Sequence, residues 1–407
     1  MNFTITRSNL LYVIQAVHRT GQAKVTMPIL GGILFKAIDN TLIATSTDID
    51  LTTQCKIQAS IIEEGSFCLP ARQIADIVRH LPDTVIQIEG SQEKSSVRII
   101  YGESEVNING FSPEQFPDFP VPLSACGHAQ AGKGITSLLI PKNTFKDMIR
   151  RAIFAVSTDR TRPLFTGVLF EVQDQKLRLV ATDTHRLALA EITLEDMAPP
   201  PLPTAAQAGL PTAAQAGKSI VVPGSALNEL IRIIRVDLSA CSAQAGEESV
   251  AIETSENHIF FITEDTTIAS RLIAGQFPSY TQVVPDKFTS RLRANVKEIH
   301  DAVERAALLS QEEIPVIHLS LSMEQCTIFL SGFAGWIRER LNATYEGEPL
   351  EVFFNARYLM DCLRVIPTEE VVIEYTGSLG AAVIRSWERD DHFSLLLPAR
   401  PRSEEIY

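Results

Sequence analysis

An α+β chain built from three copies of one unit is the fold class this sequence predicts, each copy holding two helices and several mostly antiparallel strands. Three observations carry it. Apolar stripes at helical spacing come in pairs, separated by short alternating runs. The pairs return at regular intervals. Strand-like runs follow one another with no helix between them, which favours antiparallel pairing.

In the first copy, Leu10, Leu11, Ile14 and Val17 form an apolar stripe, with Gln15, His18 and Arg19 off it. Strand-like runs Gly32–Ala37 and Thr41–Ala44 follow. Pro70-Ala71-Arg72 opens a second helix with Ile74, Ile77, Val78 and Leu81 on one face, and Pro82 ends it. Strands at Val85–Glu89, Ser96–Tyr101 and Glu105–Asn109 lead to the stop signal Phe116-Pro117-Asp118-Phe119-Pro120. The second copy restarts with Phe145, Met148, Ile149, Ala152 and Ile153. It continues through strands Gly167–Val172, Lys176–Thr182 and Arg186–Thr193. Pro223-Gly224 then opens a helix with Leu227, Leu230, Ile231 and Ile234 in register. The third begins at Val296, Ile299, Val303 and Ala306 and predicts strands Ile317–Leu321, Thr327–Ser331 and Arg338–Tyr345. Asn355-Ala356-Arg357 opens its second helix, with Leu359, Leu363 and Ile366 aligned and Pro367 as the stop.

The step from first to second helix is 64 residues (10 to 74), 82 (145 to 227) and 63 (296 to 359). Only the middle copy is overlong, and Leu202–Gly209 is repeated identically as Leu210–Gly217. Removing that 16-residue tandem brings 82 to 66. Related Ala-Gln-Ala-Gly pieces at 129–132 and 243–246 are read as exposed insertions, because small residues with Gly and Pro bury little apolar surface. The expected domains are 1–123, 136–285 (insertions near 196–218 and 237–248) and 286–407 (short tail 402–407).

The chain has 407 residues, 45% hydrophobic and 21% charged, the composition of a globular protein of several domains. No apolar run approaches the roughly 18 residues of a membrane span. The first residues lack the order of a signal peptide. Six scattered cysteines form no CxxC pair, which argues against structural zinc and for a reducing compartment, so the expected location is the cytoplasm. A net charge of −13 speaks against wrapping DNA through overall charge, though a local basic face survives within such a sum.

The densest polar cluster is Val180-Ala181-Thr182-Asp183-Thr184-His185-Arg186-Leu187-Ala188. Asp183 and His185 resemble half of an acid–base site, with Ser157 or Ser225 as imaginable nucleophiles. No GxSxG elbow, P-loop, GxGxxG or third metal ligand accompanies them. The alternative is purely structural: Asp183 caps a turn, and His185 and Arg186 are surface polar residues. Off the apolar stripes, all six helices carry cations: Arg19; Arg72 and Arg79; Lys146, Arg150 and Arg151; Arg232 and Arg235; Lys297 and Arg305; Arg357 and Arg364. Ordinarily this is a solvated face. If the three copies close into a curved wall, the same cations share one surface suited to sequence-blind phosphate contact.

Four pieces together make the chain recognisable: Thr26-Met27-Pro28-Ile29-Leu30, the 180–188 stretch, Gly275-Gln276-Phe277-Pro278-Ser279-Tyr280 and Leu396-Leu397-Pro398-Ala399-Arg400. In that order, over three repeats, the chain resembles the bacterial DNA polymerase III beta subunit, the beta sliding clamps. The resemblance implies the DNA clamp fold: a head-to-tail homodimer whose six domains close a ring, with twelve helices lining a hole around duplex DNA and sheets outside. It implies no catalysis, no metal and no cofactor. Partners implied are double-stranded DNA without sequence preference, the replicative polymerase, the clamp loader and other proteins carrying a clamp-binding motif, with no membrane.

By the resemblance, Lys24, Arg72 and Arg79 face DNA, and helix position adds Lys146, Arg150, Arg232, Arg235 and Lys297. A partner-peptide cleft is implied at Phe165, Thr182, Thr184, His185, Arg186, Leu187, Pro278, Val283, Leu396, Leu397, Pro398, Ala399 and Arg400. A dimer contact is implied between Val106 and Ile108 on one chain and Leu308 and Leu309 on the other. Three features depart from the family. Thr184 stands where glycine is usual, residues 402–407 extend past the usual end, and insertions at 126–134 and 237–248 flank the middle copy. The competing readings are a repeat-built peptide-binding scaffold without a DNA role, and a hydrolase using Asp183 and His185.

Overall fold

The computed structural model describes residues 1–20, 27–91, 96–120, 122, 137–194, 218–235 and 248–400. Lys24, the tail 402–407 and the insertions at 126–134, 202–217 and 237–247 lie outside the described residues.

The first copy runs β1 (Asn2–Thr6), α1 (Arg7–Val17), β2 (Gly32–Ile38), β3 (Thr41–Thr47), β4 (Leu51–Gln58), β5 (Ser60–Glu63), β6 (Gly65–Pro70), α2 (Ala71–His80), β7 (Val85–Ser91), β8 (Ser96–Tyr101) and β9 (Ser104–Asn109). The second runs β10 (Ser137–Pro141), α3 (Lys142–Ile153), β11 (Gly167–Gln173), β12 (Lys176–Thr182), β13 (Arg186–Thr193), β14 (Lys218–Pro223), α4 (Gly224–Arg235), β15 (Ser249–Thr254), β16 (His258–Ile262) and β17 (Thr266–Arg271). The third runs β18 (Ser290–Asn295), α5 (Val296–Ala307), β19 (Val316–Leu321), β20 (Cys326–Gly332), β21 (Gly335–Leu341), β22 (Ala343–Glu346), β23 (Leu350–Asn355), α6 (Ala356–Arg364), β24 (Glu370–Tyr375), β25 (Ala382–Ser386) and β26 (His392–Leu396). Strand, helix, strands, helix, three strands: the order repeats three times.

Local chemistry sets the helix starts. Asn295 accepts from the N–H groups of Lys297 and Glu298, and Asn355 from those of Arg357 and Tyr358, so both α5 and α6 begin on asparagine caps. Thr6 does the same for α1 through the N–H of Asn9. The predicted strand Arg338–Tyr345 is two strands. The chain leaves the partner of β20 at Leu341 and, past Asn342, pairs with β18 in another sheet. Leu341 and Tyr345 are both buried on either side of this crossing, so the apolar pattern reads through it.

The pairing is antiparallel in every sheet, and the sheets do not stop at the copies' boundaries. β17 pairs with β4, giving the order β10-β15-β16-β17-β4-β3-β2-β6; β13 pairs with β26, giving β14-β11-β12-β13-β26-β25-β24-β18-β22. Five strands (β5-β1-β7-β8-β9) and four strands (β21-β20-β19-β23) form the remaining sheets. The described residues accordingly fall into two compact units that cut across the middle copy. One lies within Met1–Phe145 and Ser225–Leu272, the other within Lys146–Ala198, Ala216–Gly224 and Ile273–Tyr407.

In the first unit the inward faces of α1 and α2 (Leu10, Val13, Ile14, Val17; Ile74, Val78) pack with Phe3, Ile33, Phe35 and Leu42 into one core. In the second, α5 and α6 do the same with Ile317, Leu319, Ile328, Phe354, Ile373 and Leu396. Tyr12 on α1 donates to Asp265, in the turn before β17, and so ties the helix to the strand that extends the first copy's sheet. No helix among the described residues is long and apolar enough to cross a membrane.

Candidate functional site

The polar stretch is a turn between β12 and β13, and its side chains hold the backbone. Thr182 Oγ1 donates to the Arg186 carbonyl (2.7 Å) and accepts from the Thr184 N–H (3.2 Å). Asp183 Oδ1 accepts from the N–H groups of His185 and Arg186, both at 2.9 Å. Asp183 Oδ2 takes the Arg186 Nε at 3.0 Å, and the other end of that guanidinium reaches Asp361 Oδ2 on α6 at 2.7 Å. The guanidinium lies 4.3 Å from the Tyr358 ring centre and 5.3 Å from that of Phe154. Asp183 is thus occupied as a turn cap and counter-ion, as the structural reading expected. Arg186 departs from that reading: it is 8% exposed and bridges the turn to α6.

A second copy of this turn sits between β3 and β4. Thr47 Oγ1 donates to the Leu51 carbonyl and accepts from the Ile49 N–H; Asp48 Oδ1 accepts from the Leu51 N–H at 2.7 Å. The third residue of each turn has a left-handed backbone, φ +83° at Ile49 and +77° at Thr184. A β-branched residue is strained there, which gives a physical reason for glycine at the Thr184 position. Thr184→Gly is therefore expected to stabilise the protein by about 1 kcal/mol, relief of strain outweighing the added freedom of the unfolded chain. A lower urea midpoint for this variant than for the parent would count against the strain.

Alternation along β13 sends Arg186 and Leu187 to opposite faces of the sheet. Leu187 joins Leu169, Val180, Leu189, Val221, Phe277 and Leu395 in an apolar cluster, with Leu164, Tyr280 and Phe393 partly buried against it. Phe165 meets Phe277 edge-on at 6.4 Å. Pro278, Val283 (54%) and Leu397 (42%) are exposed. Gly275 holds the Gly-Gln-Phe-Pro turn in place: its φ is +130°, and a Cβ there would meet Leu164 at 3.1 Å. The other face carries Arg186 and Leu396, the latter fully buried in the α5/α6 core. The Leu397 N–H donates to the His185 carbonyl (3.0 Å) and the Ala399 N–H to the Phe353 carbonyl (2.8 Å), which fixes the course of 396–400 beside the turn. Pro398 and Ala399 are half-buried; Arg400, Thr184 and His185 are exposed.

Of the cleft set, Thr182, Thr184, His185, Arg186 and Leu187 are thus brought together with Leu396 and Leu397 at β13 and β26, Phe165 lies against Phe277 beside Pro278, and the sheet divides them. Tyr358, whose ring stacks 6.2 Å from His185, and Asp361 were not singled out from the sequence. Both lie on α6, off its apolar stripe, and nothing in their local sequence links them to a turn so distant along the chain.

The cation set separates more sharply. Arg72 is 88% exposed with only Asp76 at 4.0 Å, and Arg79 is half exposed beside the same acid. Arg150 lies 3.8 Å from Asp147, Lys146 is half-buried and Lys297 is exposed in the first turn of α5. Lys24 and the Arg235 side chain lie outside the described residues. Arg232 corrects the expectation of a DNA-facing cation. It donates at 2.7 Å to the carbonyls of both Gln15 and Ala16 at the end of α1, with Glu229 as counter-ion, so its charge is spent inside the first unit. Arg232→Ala should cost about 2 kcal/mol of stability, the size expected when charge-assisted hydrogen bonds are removed. A change below a few tenths of a kcal/mol on urea unfolding would refute that assignment.

Of the dimer set, Leu308 is 79% exposed, Val106 and Leu309 are half-buried, and Ile108 (5%) belongs to the first unit's core. Away from these sites, His300, Asp301 and Glu304 on α5 bring ligand atoms within 4.8 Å of one another, an arrangement exposed helix acids commonly adopt without an ion.

Two helices per copy, sheets that run on from copy to copy, and a capped turn beside an apolar bed define a three-domain clamp fold with a binding surface. Residues 1–120, 139–201 and 281–400 match, respectively, the N-terminal, central and C-terminal domains of the DNA polymerase III beta subunit. A beta sliding clamp of Staphylococcus epidermidis is 29% identical over 98% of this chain and 99% of its own. The crystal structure of the DNA polymerase sliding clamp from Bacillus subtilis superposes with a TM-score of 0.85 at 29% identity, covering 99% of this chain and 100% of that one. That of the DNA polymerase III subunit beta from Bartonella birtlesii, bound to griselimycin, gives 0.85 at 27% identity, with 98% and 100% covered. The chain belongs to the DNA polymerase III beta subunit family, the sliding clamps, which are processivity factors and not enzymes.

Proposed function

We propose that two copies of this chain close head to tail into a ring around duplex DNA in the cytoplasm, and that the ring tethers the replicative polymerase and shares its cleft with the clamp loader and other motif-bearing proteins. The domains are 1–123, 136–285 and 286–407. The observation that carries ring closure is a pair of strand edges left unpaired among the described residues. β9 ends the five-stranded sheet and β21 the four-stranded one. An unpaired edge is a template for a further strand, and each edge lies by part of the proposed contact. Val106 is on β9, and the Leu309 carbonyl is 3.0 Å from where a Cβ on Gly332, the residue paired with Gly335 of β21, would stand. Joining β9 of one chain to β21 of the next, twice, closes a cyclic dimer. Ile108 backs this contact from the core.

Tethering replaces affinity by topology. The ring needs only weak, sequence-blind phosphate contacts, for which Lys24, Arg72, Arg79, Lys146, Arg150, Arg235 and Lys297 are the candidates. The cleft takes a peptide with a glutamine and one or two large apolar residues. Phe165, Leu187, Pro278, Val283 and Leu397 form its apolar side, while Thr182, Thr184, His185, Pro398, Ala399 and Arg400 form its rim. Arg186 and Leu396 support it from beneath.

Sedimentation of Leu308→Asp tests the closure: a folded monomer is expected where the parent is a dimer. A variant that stays dimeric would remove this contact from the proposal. Independently, Val283→Asp should weaken anisotropy-detected binding of a labelled peptide of this kind about tenfold or more.

A further inference from the structure

The four-stranded sheet of the second unit covers the α5/α6 core with one face only. Ile317, Leu319, Ile328, Leu330, Val352 and Phe354 point inward. The other face carries a row that crosses all four strands in register: Phe353 on β23, His318 on β19, Phe329 on β20 and Arg338 on β21. The rings are arranged face and edge. Phe353 and His318 stack at 4.5 Å with 11° between planes, and His318 meets Phe329 edge-on at 6.5 Å. Phe329 lies 6.4 Å from Trp336, and the Arg338 guanidinium lies 5.3 Å and 6.0 Å from the Phe329 and Trp336 ring centres. Along β21, Trp336, Arg338 and Arg340 alternate onto this face, all three exposed. Trp336 is 67% exposed, and Phe333 at the adjoining hairpin tip is 97% exposed.

Exposed Trp336 and Phe333, beside the half-buried rings of Phe329, His318 and Phe353, form an apolar patch of the kind that marks a binding surface. The charges indicate the occupant. Among the described residues neither Arg338 nor Arg340 has a carboxylate partner; Arg340 reaches only the Glu324 carbonyl, at 3.5 Å. Of the acids near this face, Glu351 sits at the opposite side on β23, where it accepts from Ser320 (2.7 Å) and bonds His318, and Glu324 lies in the turn between β19 and β20 beside Arg340. Flat rings beside two unneutralised cations match a ligand of flat bases on an anionic backbone, a local basic patch within a chain whose net charge of −13 opposes such a ligand. Arg340 also lines a cavity of about 360 Å³ together with Met323, Glu324, Gln325 and Asn342.

We propose that this outward face binds single-stranded nucleic acid without sequence preference. Bases stack on Trp336 and Phe329, and phosphates lie along Arg338 and Arg340. A short strand needs no ring to hold it, so the outcome is separate from the clamp reading.

The test uses the full chain with Trp387→Phe, which leaves Trp336 as the sole indole of the two in the sequence. Oligothymidine of about ten nucleotides should saturably quench Trp336 emission, with a parallel rise in the anisotropy of the labelled strand. Trp336→Ala, read by anisotropy, should weaken binding roughly five- to hundredfold. Arg338→Ala with Arg340→Ala should flatten the salt dependence by about 0.7 for each phosphate no longer neutralised. Tighter binding of oligouridine than oligothymidine would assign the face to RNA, and the reverse to DNA. Three results would overturn the proposal: no quenching, affinity indifferent to these substitutions, or equal competition by blunt duplex. Quenching by an apolar peptide but not by either strand would give the face to a protein instead.

Discussion

Arg186→Ala is expected to destabilise the second unit by about 3–5 kcal/mol, more than any other single substitution named for this protein. The arginine is 8% exposed, and burial alone would lower its pKa; the hydrogen bond to Asp361 and the charges of Asp183 and Asp361 outweigh this and hold it raised. Removing it strands Asp183, 11% exposed, without a counter-ion and leaves Asp361 with only Arg364 at 3.5 Å. It also takes a packed cation from between Tyr358 and Phe154. Urea unfolding is the direct measurement. An effect under about 1 kcal/mol, as for an exposed pair, would show that the bridge to α6 contributes little. Because the same residue orders the turn that carries Thr184 and His185, peptide affinity should fall with stability.

The second large effect is a dependence on pH. His392 on β26 is 2% exposed, and its pKa is pushed down to about 4, first by burial and then by the charge of Arg151, with Asp391 opposing. Its Nδ1 has no hydrogen-bond partner among the described residues, and its Nε2 faces Ser394 Oγ at 3.4 Å. The folded protein therefore holds this ring neutral. Below its ordinary pKa of 6.5 the unfolded chain binds a proton that the folded chain refuses. The contribution is present above pH 6.5 and is lost as pH falls from 6.5 through 4, by up to about 3 kcal/mol. Subtracting the profile of His392→Gln from the parent's isolates this group from the carboxylates. A flat difference between pH 7 and 4 would mean the ring is charged, or accessible, in the folded state.

Much of the fold was legible because it is local. Helix starts at Pro70, Pro223-Gly224 and Asn355, and stops at Pro82 and Pro367, are matters of a few neighbouring residues. What joins the copies is not local. The β17–β4 and β13–β26 pairings connect strands far apart in sequence, and alternation within each strand is the same whatever lies beside it. The boundary of contact therefore falls inside the middle copy. The twin of the Thr182–Arg186 turn was visible as Thr47-Asp48-Ile49-Asp50-Leu51, a second Thr-Asp pair at a matching place in the first copy.

The cleft was legible as two stretches, but not which face each residue takes. Arg186 and Leu187 are neighbours in sequence, and one supports the sheet from the helix side while the other builds the apolar bed. Arg232 was misread for a related reason. A cation off an apolar stripe looks solvated until a neighbouring helix end, here the carbonyls of Gln15 and Ala16, is seen to receive it.

Retention on circular DNA tests the central claim most directly. The protein is loaded onto a nicked circle with its loader, separated from free protein by gel filtration, and the DNA is then cut once. A ring that holds by topology should stay with the closed circle at raised salt and leave when the circle is linearised. Retention on the linear product, or no retention on the circle, would contradict it.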